Sequence, residues 1–205
     1  MAVQSNTSEL TRASLLIRLS DTGPEREVAW AEFHDLYAPI IRGFAHRMNA
    51  RPQEIDDLTQ EVLKAFFCVT PEFSYNPLAG RFRSYLKTCV WNKLSELRRR
   101  RGREMSGLEH FETADPNDMT VEAVWNDVWE TEKLGRALAI VRQRYAINVE
   151  RRRTFRAFEM CTLLDRPTEQ VAAELGLSLE SVRAAKSRVS QALREAFDKL
   201  DELTG

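Results

Sequence analysis

Apolar residues recur at three- and four-residue intervals through nearly every long segment of this chain, and only 8 glycines and 7 prolines interrupt them. On a helix of 3.6 residues per turn that spacing makes one apolar stripe, so it commits the chain to an all-α fold. Phe33, Leu36, Tyr37, Ile40, Ile41, Phe44 and Met48 trace such a stripe over about 26–48. Pro39 inside it is expected to bend or locally break the helix, because it lacks an N–H and its ring crowds the preceding turn. Leu58, Val62, Phe66 and Val69 trace a second helix over about 54–70, and Phe82, Leu86, Cys89, Val90, Leu94 and Leu97 a third over about 80–101. Pro71, Asn76, Pro77 and Gly80 are turn formers between these two. The three helices are expected to pack together, with a short helix near 10–19 carrying Leu15, Leu16 and Leu19 covering one side.

The formal net charge of −1 gives no global sign from which to read a partner. Local charge is another matter. Between Arg81 and Arg103 there are nine basic residues and one acidic residue, a balance of +8, whereas Glu104 to Glu132 holds nine acidic residues and no Lys or Arg. Residues 105–119 of that acidic stretch carry Gly107, Pro116 and Asn117 and no sustained helical stripe, so they read as a linker. With 205 residues, 43% of them hydrophobic, the chain has apolar material for one core in each of two small domains, here 1–104 and 120–205.

In the C-terminal module, helical pattern resumes near Val121 and the segment Thr168–Leu200 has helix-turn-helix spacing. Thr168 is placed to cap a short helix with Val171, Ala172 and Leu175 on its inner face, and Ser178 to cap a longer one with Val182, Ala185, Val189, Leu193 and Phe197 inward. Ala172 is small where two helices cross, Gly176 can take the left-handed conformation of the turn, and Val182 anchors the second helix. Advancing 100° per residue from Val182 puts Ser181, Arg183, Ala184, Ser187, Arg188 and Gln191 on the outer side. A cationic, short-chained face of this kind suits a helix that enters the DNA major groove. An ordinary helical hairpin with a solvated charged face is the plainer reading.

The same projection of the 80–101 helix, centred on Leu86, sends Ser84, Thr88, Trp91 and Ser95 to the side away from the core, flanked by Arg83, Lys87 and Arg98. A tryptophan there implies either a contact surface or a further helix packed over it, since burying a large apolar side chain stabilises a fold by roughly 1.5–3 kcal/mol. With Phe73 and Tyr75 in the preceding loop and Arg98–Arg101 continuing the helix, the face combines what a single strand requires: positive charge for phosphates and flat rings for unstacked bases.

These motifs, in this order, resemble those of the extracytoplasmic function sigma factors of the bacterial sigma-70 family. Ile55-Asp56-Asp57-Leu58-Thr59-Gln60-Glu61-Val62 is similar to the acidic D-x-x-Q-E-V motif of sigma region 2. The resemblance implies that Asp57, Gln60, Glu61 and Lys64 dock on the clamp helices of the largest RNA polymerase subunit. Phe73-Ser74-Tyr75-Asn76-Pro77, followed by Gly80-Arg81-Phe82-Arg83-Ser84-Tyr85-Leu86 and Asn92, resembles the loop and helix that open the −10 promoter element and capture an unstacked base. It implies a −10 surface built from Tyr75, Arg81, Arg83, Lys87, Thr88, Trp91, Asn92, Arg98 and Arg99. The helix-turn-helix is similar to region 4, which implies a −35 surface of Ser181, Arg183, Ala184, Ser187 and Arg188, and the linker occupies the place of region 3. Tyr85 stands where many members have tryptophan, and Trp91 where a small aliphatic residue is commoner, so base preference does not carry over. The partners implied are core polymerase and promoter DNA, with an anti-sigma factor left open as a third.

Two other classes stay open on the residues alone. An autonomous helix-turn-helix regulator would bind duplex DNA as a dimer without polymerase. An enzyme would need a constellation that no motif supplies: there is no Gly-rich phosphate loop and no nucleophile paired by spacing with a base. Cys68, Cys89 and Cys161 are an odd number without C-x-x-C spacing, and His34, His46 and His110 are scattered, so neither a disulfide scaffold, a metal site nor a cofactor is expected. No stretch approaches the roughly 18 apolar residues of a membrane span and no export leader is evident, so a cytoplasmic location is expected.

Overall fold

A computed structural model describes residues 12–20, 23–69, 82–106 and 118–202. The secondary-structure elements among the described residues are all helices, with no strand: α1 (Arg12–Ser20), α2 (Glu25–Arg47), α3 (Pro52–Val69), α4 (Phe82–Ser106), α5 (Met119–Tyr145), α6 (Val149–Phe158), α7 (Thr168–Leu175) and α8 (Leu179–Glu202). They form two compact units that divide between Glu132 and Lys133, inside α5.

In the first unit α1 packs on α2, α2 on α3 and α3 on α4. The apolar stripes meet as the spacing predicts: Phe33 stacks on Phe66 with centroids 4.7 Å apart, and Phe82 meets Tyr37 edge-on at 5.2 Å. Helix α2 continues through Pro39 without a break, so of the two expected outcomes, a bend or a local break, the break does not occur. Tyr37, Ala38, Ile40 and Ile41, on either side of it, are all buried, and such packing outweighs the single backbone bond that Pro39 cannot donate. Val121, Trp125, Val128 and Trp129 of α5 belong to this same core. Residues 120–132 were expected with the C-terminal module; their apolar face is instead buried in the N-terminal unit. Residues 107–117, most of the expected linker, lie outside the described residues.

In the second unit α6 and α7 pack on α8. Val171, Ala172, Val182 and Ala185 form one buried cluster with Ala157, Met160 and Cys161. Phe155, Phe158, Val189 and Ala196 form another with Ala137 and Val141 of α5. Helix α6 runs on as a π-helical turn over Glu159–Leu163. Ser178 caps α8, its Oγ accepting the Ser181 N–H at 3.1 Å. Thr168 is the first residue of α7 rather than its cap; Pro167 holds the cap position and makes no side-chain hydrogen bond. Gly176 ends α7 with φ 58° and ψ 43°, a left-handed conformation that costs other L-residues roughly 1–2 kcal/mol. A Cβ there would stand 3.2 Å from Nη2 of Arg153. Gly176→Ala is therefore expected to destabilise the chain by about 1–2 kcal/mol, and Gly176→Asn by less, because asparagine tolerates this region better. Urea unfolding of the two variants checks the order.

Candidate functional surfaces

Helix α3 buries Leu58, Val62, Leu63 and Phe66 and thereby turns Asp57, Gln60, Glu61 and Lys64 to solvent, on one face because they are three or four residues apart. The four are not equivalent. Glu61 accepts an ion pair from Nζ of Lys93 at 2.6 Å, which ties it back to α4. With Glu96 also bonded at 2.9 Å, the ammonium of Lys93 is held above the ordinary lysine range, chiefly by the Glu61 hydrogen bond. Asp57, Gln60 and Lys64 are the open members of the face. Gln60 and Lys64 also border a groove of about 560 Å³ between α2 and α3, with Trp30, Leu63 and Phe67 in its wall and Arg26 stacked 4.2 Å over the Phe67 ring. Sequence reasoning missed this groove. Arg26, Trp30 and His34 recur every four residues along α2, just off the core stripe, and that was the available signal.

Helix α4 differs most from expectation. Trp91, projected to the outside, is 2% exposed, and Lys87 and Ser95 are buried as well. Trp91 lies against Phe44 with centroids 6.5 Å apart, and Phe44 in turn meets Trp125 edge-on at 5.1 Å. The projection assumed one buried face, but the first half of α5 packs on the same core and carries acidic partners for the basic groups. Nζ of Lys87 donates to the Glu122 carboxylate. Arg83 donates to Oδ1 of Asn126 at 2.6 Å, faces Glu130 at 3.8 Å and stacks 4.8 Å over Trp129. Arg47 of α2 pairs with Asp127. The expectation that Trp91 and Lys87 stand on an open nucleic-acid face is thus corrected, and Arg83 is engaged within the protein.

The arginine run is similarly committed. Arg98 donates to the Met48 carbonyl at 2.6 Å and lies 5.2 Å over the Trp91 ring, and burial pulls its pKa down. Arg100 pairs with Glu96 at 2.7 Å and Arg101 with Glu54 at 2.8 Å. Arg99 is exposed. These bonds fasten the end of α4 to α3 and to the end of α2, a structural use of a run expected to meet phosphates. Thr88 is half-buried, its hydroxyl donating to the Ser84 carbonyl at 3.0 Å.

What α4 does present is a groove of about 570 Å³ against α3, bordered by Asn92, Tyr85, Cys89, Lys93 and Glu96 on one side and by Lys64, Ala65 and Cys68 on the other. Asn92 is exposed there. Burial, with Cys89 as the next cause, pushes the Tyr85 phenol up to about 12, so it stays a neutral hydrogen-bonding group throughout the ordinary pH range. Tyr75 and Arg81 lie outside the described residues.

In the second unit Ser181, Arg183, Ser187 and Arg188 of α8 are exposed, Ala184 is half-buried between them, and Val182, Ala185 and Val189 face the core. The structure therefore brings together all five expected residues of this face. Lys186 is half-buried, as its projection nearer the core implied.

Residues 33–104 match the family model for sigma-70 region 2. They include α3, α4 and most of α2, the elements that carry both grooves. Over 174 residues, 83% of its length, the chain is 27% identical to the ECF RNA polymerase sigma factor SigE of Mycolicibacterium smegmatis. The match spans 62% of that relative's length. No described helix is long and apolar enough to cross a membrane.

Proposed function

We propose that this chain is an RNA polymerase sigma factor that directs promoter-specific initiation. The observation that carries the reading is the open face of α3, where Asp57, Gln60 and Lys64 stand in solvent at helical contact spacing, with the apolar α2–α3 groove beside Gln60 and Lys64. Charged and amide groups around an apolar trough suit a helical partner that offers basic residues and a few large apolar anchors, and the clamp helices of core polymerase are that partner. Residues 1–104 then act as region 2. The groove bordered by Tyr85 and Asn92 takes an unstacked base of the −10 element, a role in which Tyr75 and Arg81 of the preceding loop would join them. Residues 105–119 act as the linker. The helices of the second unit, from Lys133 onward, act as region 4, with α8 reading the −35 element as duplex through Ser181, Arg183, Ala184, Ser187 and Arg188. The polymerase supplies the chemistry, and this chain supplies selection and strand opening.

The test is the affinity of the full chain for core polymerase. Replacing Asp57 and Gln60 together by alanine is expected to weaken binding about tenfold or more, roughly 1.4 kcal/mol, with circular dichroism and melting unchanged because both side chains are exposed. Unaltered affinity would remove the docking face. Tight, sequence-specific binding of a duplex by the chain alone, without polymerase, would favour an autonomous regulator instead.

A further inference from the structure

Lys87, Arg83 and Arg47 each meet the first half of α5, and they differ in how open they are. The Lys87 side chain is 5% exposed, and its bond to Glu122 satisfies an ammonium that burial would otherwise leave without a counter-charge. Arg83 and Arg47 are partly open, with side chains 24% and 43% exposed, and their partners Glu130 and Asp127 are half-exposed or more. Ion pairs open to water contribute little to stability and exchange readily, because solvent and salt screen them. The Arg83 pair is also loose. Glu130 stands 3.8 Å from the guanidinium, whereas the near contact, at 2.6 Å, is the neutral amide oxygen of Asn126.

These open pairs are not what holds α5 in place. Val121, Trp125, Val128 and Trp129 are buried in the core of the unit, and Gly43 of α2 permits a close approach, since a Cβ there would stand 3.1 Å from Cγ1 of Val128. Apolar packing fixes the helix, which leaves its polar edge available for another task. That edge is regular. Glu122, Asn126 and Glu130 recur every four residues, so they form one row along α5 with a rise of about 6 Å between successive members. Asp127 stands next to the row. The edge offers basic groups a line of oxygen acceptors, as a strand of phosphates does.

Arg83 precedes Tyr85 by two residues in α4, and Tyr85 borders the groove assigned to an unstacked base of the −10 element. A strand whose base enters that groove carries its adjoining phosphates past the same end of α4. We propose that the carboxylates of Glu130 and Asp127 act as internal substitutes for phosphate, competing with the −10 strand for Arg83 and Arg47. The exchange needs no movement of α5, because side chains change partners while the helix stays packed. The stack of Arg83 on Trp129, at 4.8 Å, engages the face of the guanidinium rather than its N–H edge, and that edge matches phosphate oxygens in pairs. An arginine that must leave a carboxylate gains less from a phosphate than a bare one does. The row therefore lowers the sequence-independent part of DNA affinity and leaves base recognition in the groove as it is. The proposal rests on the reading of the Tyr85–Asn92 groove as the −10 contact, and it adds an element of the chain that holds that contact in check.

The experiment uses the full chain reconstituted with core polymerase, and the probe is a single-stranded oligonucleotide carrying the −10 sequence that the wild-type holoenzyme selects from a randomised pool. Asp127→Asn with Glu130→Gln removes both carboxylates at nearly constant shape. The double variant is expected to bind the strand about three- to tenfold more tightly near 0.1 M salt, and to steepen the slope of log K against log salt by about 0.7 for each arginine that gains a phosphate. Base preference and melting should not change. Arg83→Gln added to Glu130→Gln should cancel the gain of Glu130→Gln alone, which a general loss of negative surface charge does not predict. Glu25→Gln takes the same charge from the other end of α2, about 33 Å from Arg47 by helical rise and several screening lengths away, and should alter neither affinity nor slope. If the double variant melts lower, Glu130→Gln by itself carries the test, since its loose pair is the less structural of the two. Unchanged affinity and slope refute the competition, and Asn92→Ala in the same assay shows what fails with it. A weaker strand complex for Asn92→Ala leaves the −10 reading standing, and an unaltered one overturns that reading as well. Tighter binding of core polymerase without tighter binding of the strand would make an acidic protein surface the competitor and would also overturn the proposal.

Discussion

Trp125→Ala should destabilise the N-terminal unit by about 3–5 kcal/mol, the range for truncating a large buried aromatic side chain. Trp125 is 1% exposed, meets Phe44 edge-on with centroids 5.1 Å apart and lies 5.8 Å from Trp129. Its indole Nε1 is buried without a hydrogen-bond partner among the described residues, so its contribution comes from packing alone. Trp125→Phe keeps a ring against Phe44 and removes the unsatisfied N–H, and is expected to cost much less than the alanine variant. Urea unfolding of the full chain, followed by circular dichroism, measures both. A loss under about 1 kcal/mol for alanine would mean that the first half of α5 is not part of this core. The consequence is functional, since the same half-helix holds Lys87 through Glu122 and Arg83 through Asn126 and Glu130.

Arg183→Ala should relax base selection at one or two −35 positions by about 1–3 kcal/mol, roughly five- to 150-fold in relative promoter use. Arg183 is exposed in the N-terminal half of α8, the part of a recognition helix that enters the groove first. Lys186 is half-buried, and its replacement by alanine should leave base preference near that of wild type. Arg188, farther along the same exposed face, is expected to act on every sequence alike, with an effect that weakens as salt rises. Transcription by reconstituted holoenzyme from a library randomised across the −35 element reads all three. An unchanged preference for Arg183→Ala would remove its reading role.

The turn between α7 and α8 was legible because its signals are local. Gly176 takes the left-handed turn, Ser178 caps α8, and Val182 and Ala185 face inward, all consequences of residue type and spacing within a few turns. The α4 surface was not legible. Its residues at 84, 88, 91 and 95 look like an outer face when α4 is paired only with its chain neighbours. The groups that cover or bind that region come from farther along the chain: Glu122 is 35 residues from Lys87, and the Met48 carbonyl is 50 residues from Arg98. A run of arginines reads the same whether it awaits phosphates or is already spent on carboxylates and carbonyls.

The amino-acid sequence by itself determined the all-α class, the places of α1 to α4, the turn between α7 and α8 and the outward set on α8. All of these follow from a helical period and turn chemistry that act over a few residues. Only the tertiary structure decided that the first half of α5 joins the N-terminal core, that Trp91 and Lys87 are interior, and that Glu61 of the outer α3 face is tied back to α4 while Asp57, Gln60 and Lys64 are not. Each of those outcomes depends on which distant partner satisfies a charge or covers an apolar ring, and helical periodicity carries no record of that choice.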